Sequence, residues 1–431
     1  MKKIKKNDDI SLLGRIIFFF KSIKNKIDKA ELPKRFINQQ KELANCNGEG
    51  SSCAARLSFG FNITKIIFTV LFCLFTVSAL IFGNRILSYE NVYYMFKDIN
   101  YITDYNESLP STLSYSEPFT NQNFAAFKNG LAVVSDREYK FFTSTGRTTL
   151  MLGSDYTNPK ILTSNSTALI YDAGKSRYSI YNSFIELHSD ELEYPISIAD
   201  IADDGSYVLV TRSKNYATSA KLYNSQFELV TEYSKNDYII SAKMTPDGKY
   251  TVIMSLDSLD GDEKMSISIL KKGEQKLHSQ FEAVGSMPYS CEIISDNRIV
   301  VFYQNKFVIY SFDGTVKTEY RYPTQLTYIS FAGDSFILVF KDNNVNSSIL
   351  MMFDRNGTLS HFERLEKSIY SIAKADKYVY VLCEKEILRI DTMWGSIKSI
   401  PFVSESGELL ALPNGEILLC TPISAYRLDF D

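Results

Sequence analysis

The chain has 431 residues, 45% hydrophobic and 23% charged, with 47 Lys and Arg against 50 Asp and Glu for a net charge of −3. Six dispersed cysteines exclude a disulfide framework. The charge is unevenly spread: residues 1–60 carry 13 basic and 6 acidic side chains, whereas 66–431 carry 33 and 44, a net of −11 that argues against nucleic-acid binding.

In chain order, the basic arm of residues 1–60 comes first. Residues 10–29 (ISLLGRIIFFFKSIKNKIDK) place Leu13, Ile16, Ile17, Phe20, Ile23 and Ile27 near one helical stripe, with Arg15, Lys21, Lys24, Lys26 and Lys29 around it. A basic amphipathic helix of this kind lies in a membrane interface or packs on a partner, and Pro33 ends it. Small polar residues 44–58 form a link. Cys46 and Cys53 within it have the wrong spacing for a zinc knuckle.

A transmembrane helix is predicted over 63–86. Its core, 66–82 (IIFTVLFCLFTVSALIF), is free of charge and bracketed by Lys65 and Arg85. With its flanks it is long enough for a hydrocarbon core of about 30 Å at about 1.5 Å per residue. A cleavable signal peptide is the rival reading, and the long arm ahead of the segment opposes it. The Lys and Arg excess puts the N-terminus in the cytoplasm and the rest of the chain outside. Residues 87–110 read as a linker or stalk.

From residue 111 a unit repeats. A short strand leads to an Asp-Gly or Asn-Gly type of turn, and three further strands follow. The turns fall at Asn129, Asn165, Asp204, Asp247, Asp296, Asp334, Asp376 and Asn414, at intervals of 36 to 49 residues. A period near 40 with four strands per unit is the signature of a β-propeller. The predicted fold class is therefore all-β, an eight-bladed β-propeller over 111–431 after an N-terminal transmembrane helix, with seven blades as the alternative. The last unit holds three strands and then the chain stops. Residues 111–116 (STLSYS) are predicted to supply its missing outer strand and so to join the ends of the ring.

The single apolar segment, the basic arm and the degenerate repeat, with the stretch LSYSEP, the unit FAAFKNGLAVVSDREYKFFTSTG and the recurring Asp-Gly turns, resemble a bacterial family, the domain of unknown function 5711. That resemblance implies a single-pass protein of a bacterial plasma membrane with its propeller outside, and hands over no catalytic residue. The units are also similar to quinoprotein-type and WD40-like propellers. The Trp-Asp dipeptide is missing and Trp394 is the one tryptophan, so no quinone or other cofactor is expected.

Chemistry-bearing residues are sparse. His188, His278 and His361 fall on predicted outer strands, far from the axial channel, and are expected to be exposed. Cys291, Cys383 and Cys420 sit in apolar runs and are expected to be buried. The acidic loop 257–264 (DSLDGDEK) has oxygen ligands without an EF-hand's spacing, so no metal is assigned. Turns from first to second and from third to fourth strand read as tight. Those from second to third, and from one unit to the next, read as longer, and in a propeller these long sets share a face. On that face Arg212, Tyr216, Asp257, Asp260, Asp262 and Tyr289 are the candidate binding residues. The expected role is a non-enzymatic binding scaffold or sensor for an envelope protein or polymer. The alternative is a glycan hydrolase or lyase using carboxylates in the channel.

Overall fold

The computed structural model describes residues 61, 64–73, 76, 112–115, 123–143, 145–257, 264–274, 276–282, 288–295, 297–333, 335–342, 346–402 and 407–430. The chain divides into two units, Met1–Tyr93 and Tyr94–Asp431. In the first, residues 64–73 are helical. Their Ile66, Ile67, Phe68, Val70, Leu71 and Phe72 are exposed. Among the described residues no helix is long and apolar enough to cross a membrane. The span expected over 63–86 is therefore seen only as this short stretch. The arm, the amphipathic segment, the stalk and the rest of the span lie outside the described residues.

The second unit is a ring of eight four-stranded antiparallel sheets. Strand β1 is Thr112–Ser114. Blade 1 is β2–β5 (123–153), blade 2 is β6–β9 (159–191) and blade 3 is β10–β13 (196–235). Blade 4 is β14–β17 (238–282), blade 5 is β18–β21 (288–321) and blade 6 is β22–β25 (326–365). Blade 7 is β26–β29 (369–401), and blade 8 combines β30–β32 (408–427) with β1. The first unit is a complete sheet, so the seven-bladed alternative falls.

Burial follows the sequence pattern. The middle strands are apolar runs buried on both faces, as in Arg298–Tyr303 and Lys306–Ser311. The outer strands alternate, as in Leu277–Glu282, because one face packs and the other meets water. Apolar side chains gather in eight clusters, each at a seam between neighbouring blades. Between blades 4 and 5, for example, Val252, Met254 and Ile267 pack with Val301, Tyr303 and Val308.

Closure is as the sequence predicts. Thr112, Leu113 and Ser114 pair with Tyr426, Ala425 and Ser424 of β32, and the Tyr115 amide donates to the Ile423 carbonyl at 3.0 Å. Leu113 and Tyr115 fill the seam between blades 8 and 1 with Leu131, Val133, Phe142, Leu418 and Cys420.

Two expectations need correction. His278 is exposed, but His188 and His361 are half-buried. The His188 ring stacks on Phe227 of the next blade, with centroids 5.1 Å apart. Turns from third to fourth strand close tightly, as from the Gly146 amide to the Thr143 carbonyl and the Phe227 amide to the Asn224 carbonyl, but connections such as 182–185 and 224–228 match many of the interblade links in length, so length does not set the two faces apart. The reason is local. The turns at Gly146, Phe227 and Gly273 hold that residue at positive φ and lead into a bulge in the outer strand, which adds residues. Gly314 shows why the position favours glycine, since a Cβ there would lie 2.8 Å from the Phe281 ring of the preceding blade. The three buried cysteines are as expected.

Deleting residues 105–118 should lower the melting temperature sharply. Leu113→Ala alone should remove about 2–5 kcal/mol, as for a large-to-small change at a packed site. Thermal unfolding followed by circular dichroism tests both, and an unchanged midpoint would show that β1 does not close the ring.

Candidate functional site

The first strands of neighbouring blades lie against one another around the axis and line the channel. All run the same way, from the face bearing interblade links to the face bearing the Asp-Gly turns. Second-to-third connections emerge on the starting face too, including 212–217. Arg212 and Tyr216 are exposed there. Asp257 ends its strand on that face, opposite Lys264, and Tyr289 opens an inner strand there. Asp260 and Asp262 lie outside the described residues.

Five consecutive inner strands carry a β-bulge near their starts. The unpaired residues are Ser197, Ile240, Tyr289, Thr327 and Tyr370, in blades 3 to 7. A bulge bends the strand and re-aims the side chain at it, and such irregularities are common beside functional sites. Tyr370 is 56% exposed, Tyr238 at the start of the blade 4 inner strand is 56% exposed, and Tyr216 is 47% exposed. Exposed tyrosines thus stand at the starts of the inner strands of blades 4 and 7, with Tyr216 in a loop on the same face. Sequence reasoning missed Tyr238 and Tyr370. The signal was present as NDYIIS, MPYSCE and SIYSIA, a tyrosine near the start of the inner strands of blades 4, 5 and 7.

A polar brace supports the mouth between blades 3 and 4. Lys235 Nζ lies 2.6 Å from Asp237 and 2.8 Å from both Ser255 Oγ and Ser266 Oγ. Thr218 Oγ1 donates to the Asp237 carbonyl at 2.7 Å. This fixes the bases of the 212–217 loop and of Tyr238. Ser255 is fully buried and Lys235 is engaged in an ion pair, so the cluster is a support and not a nucleophile with its base.

Deeper in the channel, Asp200, Lys243 and Glu292 stand three residues past the bulge in blades 3, 4 and 5. Lys243 Nζ is 2.8 Å from Glu292 Oε2, and Asp200 accepts the Met244 amide at 2.8 Å. The chain thus ties three inner strands together. Burial pushes the Asp200 carboxyl up to about 6, with Lys243 and the Met244 amide opposing. Burial works against the Lys243 charge, but Glu292 and Asp200 outweigh it and its pKa is raised. Between blades 1 and 2, Lys160 Nζ donates to Asn123 Oδ1 at 3.1 Å and Asn123 Nδ2 donates to the Pro159 carbonyl at 2.8 Å. Glu408 is raised by burial, and Lys160 offsets part of the effect. Among these channel carboxylates Glu292 is ion-paired with Lys243, while Asp200 and Glu408 feel the charges of Lys243 and Lys160. Among the described residues no group of three or more His, Cys, Asp or Glu is placed to hold a metal.

The sequence matches the family of unknown function DUF5711 over residues 104–399, and the chain belongs to that family. No curated protein matches it. Its fold is similar to BamB from Moraxella catarrhalis, with 11% identity, 74% of this chain and 99% of that one covered, and a TM-score of 0.51. It is similar also to Chaetomium thermophilum Sqt1 bound to the N-terminus of the ribosomal protein L10, with 12% identity, 74% and 99% coverage and a TM-score of 0.52. At such identities the likeness concerns the fold alone.

Asp200 gives a pH dependence of defined sign. Its folded pKa, about 6, exceeds the ordinary value of 3.8, so the folded state holds the proton more tightly. This residue's contribution to stability is best in acid and declines as pH rises from about 4 through about 6. Asp200→Asn should therefore stabilise the ring at pH 7.5, by roughly 1–3 kcal/mol, and lose that advantage near pH 4. Melting temperatures of both forms across this range test it, and a variant less stable at pH 7.5 would refute it.

Proposed function

We propose that this DUF5711 protein is a non-enzymatic binding scaffold or sensor, tethered by its N-terminal apolar segment to a bacterial plasma membrane and holding a protein partner or envelope polymer outside. The observation that carries this reading is the exposed set Arg212, Tyr216, Tyr238 and Tyr370 on one face of a rigid ring. Tyrosine and arginine are enriched among the residues that dominate protein interfaces. The Sqt1 structure, in which a propeller of this kind is bound to the N-terminus of another protein, is in keeping with a polypeptide partner.

Three features support the tether. The 66–82 stretch is uncharged and follows a basic arm. Helical residues 64–73 expose six large apolar side chains. In addition, β1 runs antiparallel to β32, so Thr112 enters the ring on the Asp-Gly turn face, opposite the tyrosine mouth. A tether there leaves the mouth free. The ion pair of Glu292 with Lys243, whose charge also acts on Asp200, favours binding over glycan cleavage, which needs one carboxyl free to move a proton and another free to attack or activate water.

In-cell crosslinking with affinity capture tests the reading. The intact protein should retain a specific partner. Alanine at Arg212, Tyr216, Tyr238 and Tyr370 together should reduce capture by at least about tenfold, from about 1–2 kcal/mol per truncated anchor, with the ring's melting temperature unchanged. Equal capture by both forms would remove the mouth as the binding face. The protein should also stay with the membrane pellet in alkaline carbonate and leave it when residues 61–86 are deleted.

A further inference from the structure

The closing strand differs from every other outer strand in the ring. The outer strands of blades 1 to 7 follow their neighbours through a turn and span from Ile397–Pro401 to Leu229–Lys235 in length. Strand β1 spans Thr112–Ser114, arrives from the N-terminal side of the ring, and is held by three register pairs and the Tyr115 amide bond. Its apolar hold is two side chains, Leu113 and Tyr115, in the seam between blades 8 and 1. It is also the first strand of the ring, so tension on the N-terminal segment reaches every blade through it.

We propose that β1 is a latch released by tension. Pulling the chain N-terminal to Thr112 away from the ring detaches β1 from β32 before any blade unfolds, and opens the seam between blades 8 and 1. The mechanical order follows from geometry. Among the described residues the three-pair contact is the shortest sheet pairing an outer strand makes, and it takes the load first. Release strips Leu113 and Tyr115 from the seam and leaves an unpaired edge on β32, whose backbone groups then need another partner. It also uncovers Cys420, which is 1% exposed and packed with Tyr115 when the latch is shut. The latch is independent of what the mouth binds and requires only that the N-terminal segment be held.

The pairing supplies its own control. Tyr115 donates to the residue directly opposite it, Ile423, so pairs alternate along the strand and Thr112↔Tyr426 is a non-hydrogen-bonded pair. Cα atoms in such a pair stand about 4.5 Å apart, within the range a disulfide spans. Thr112→Cys/Tyr426→Cys therefore clamps the latch when oxidised and frees it when reduced.

The test stretches the full-length chain in optical tweezers between its N-terminus and a C-terminal handle, a direction that unzips the antiparallel pair. The expected first event is a short extension from the release of Thr112–Ser114, ahead of any blade-sized step on the order of 100 Å. Oxidising the clamp should abolish that event and reduction should restore it. Without load, a thiol alkylator mapped by mass spectrometry should modify Cys420 ahead of Cys291 and Cys383, and Leu113→Ala should speed Cys420 about tenfold or more. A first event of blade size, a first event indifferent to the clamp, or Cys420 reacting only in step with Cys291 would overturn the latch.

Discussion

Everything in this ring depends on the pairing of β1 with β32. A four-stranded blade has apolar side chains on both faces of its middle strands and cannot bury them alone. Each blade is stable because a neighbour covers each face, which is why the core is a series of seams and has no single centre. An open series would leave two faces bare, one on blade 8 and one on blade 1. The three pairs from Thr112 to Ser114, with Leu113 and Tyr115 behind them, turn the series into a ring. A short contact thus protects a large apolar surface, and the whole fold shares its strength.

Around the axis a second constraint operates. Eight inner strands converge, and their exposed edges would leave backbone and side-chain polar groups without partners. The chain answers with side chains that bond across seams. Ser371 Oγ accepts the Leu409 amide at 2.9 Å, Thr163 Oγ1 donates to the Ala126 carbonyl at 2.9 Å, and Asp200 accepts the Met244 amide. The charged chain of Asp200, Lys243 and Glu292 is the costliest version of this device. Burial resists the carboxylate, and Lys243 with the Met244 amide returns only part of what hydration would supply. Glu408 is in the same position beside Lys160. Carboxylates committed in this way stiffen the channel, and a stiff channel holds its mouth in a fixed shape.

The turns were the most legible part of the sequence. Asp-Gly and Asn-Gly pairs mark backbone that needs positive φ, and they gave the blade count and, with the three-stranded last unit, the closing strand. What was not legible follows from small displacements. The bulges in blades 3 to 7 shift the strand period by one residue, so inward and outward positions cannot be assigned by alternation from the interblade link. Tyr370 escaped notice for that reason, although it holds the same bulge position as Tyr289, whereas Tyr238 is the paired first residue of its strand. The stack of His188 on Phe227 is an interblade contact, which no pattern within one unit reveals. The acid–lysine pairing in the channel is similar: Asp200, Lys243 and Glu292 share a register but are separated by irregular intervals in the chain.

Strand direction links these observations into one geometry. An antiparallel blade sends its first and third strands one way and its second and fourth the other. The closing strand takes the fourth place, so the chain must enter it from the face that carries the Asp-Gly turns. The tyrosines open first strands or sit in second-to-third loops, so they must lie on the opposite face. No adjustment of loop length changes this, because it is fixed by the order of the strands. A partner drawn away from the N-terminal attachment would thus load the ring from face to face, with β1 at one end of the load and the tyrosine mouth at the other. Among the described residues the shortest pairing of an outer strand lies at the end where the N-terminal segment joins the ring. Strengthening β1 would make the ring more durable, but it would also remove the one place where a pull on the N-terminal segment can change the ring without unfolding a blade.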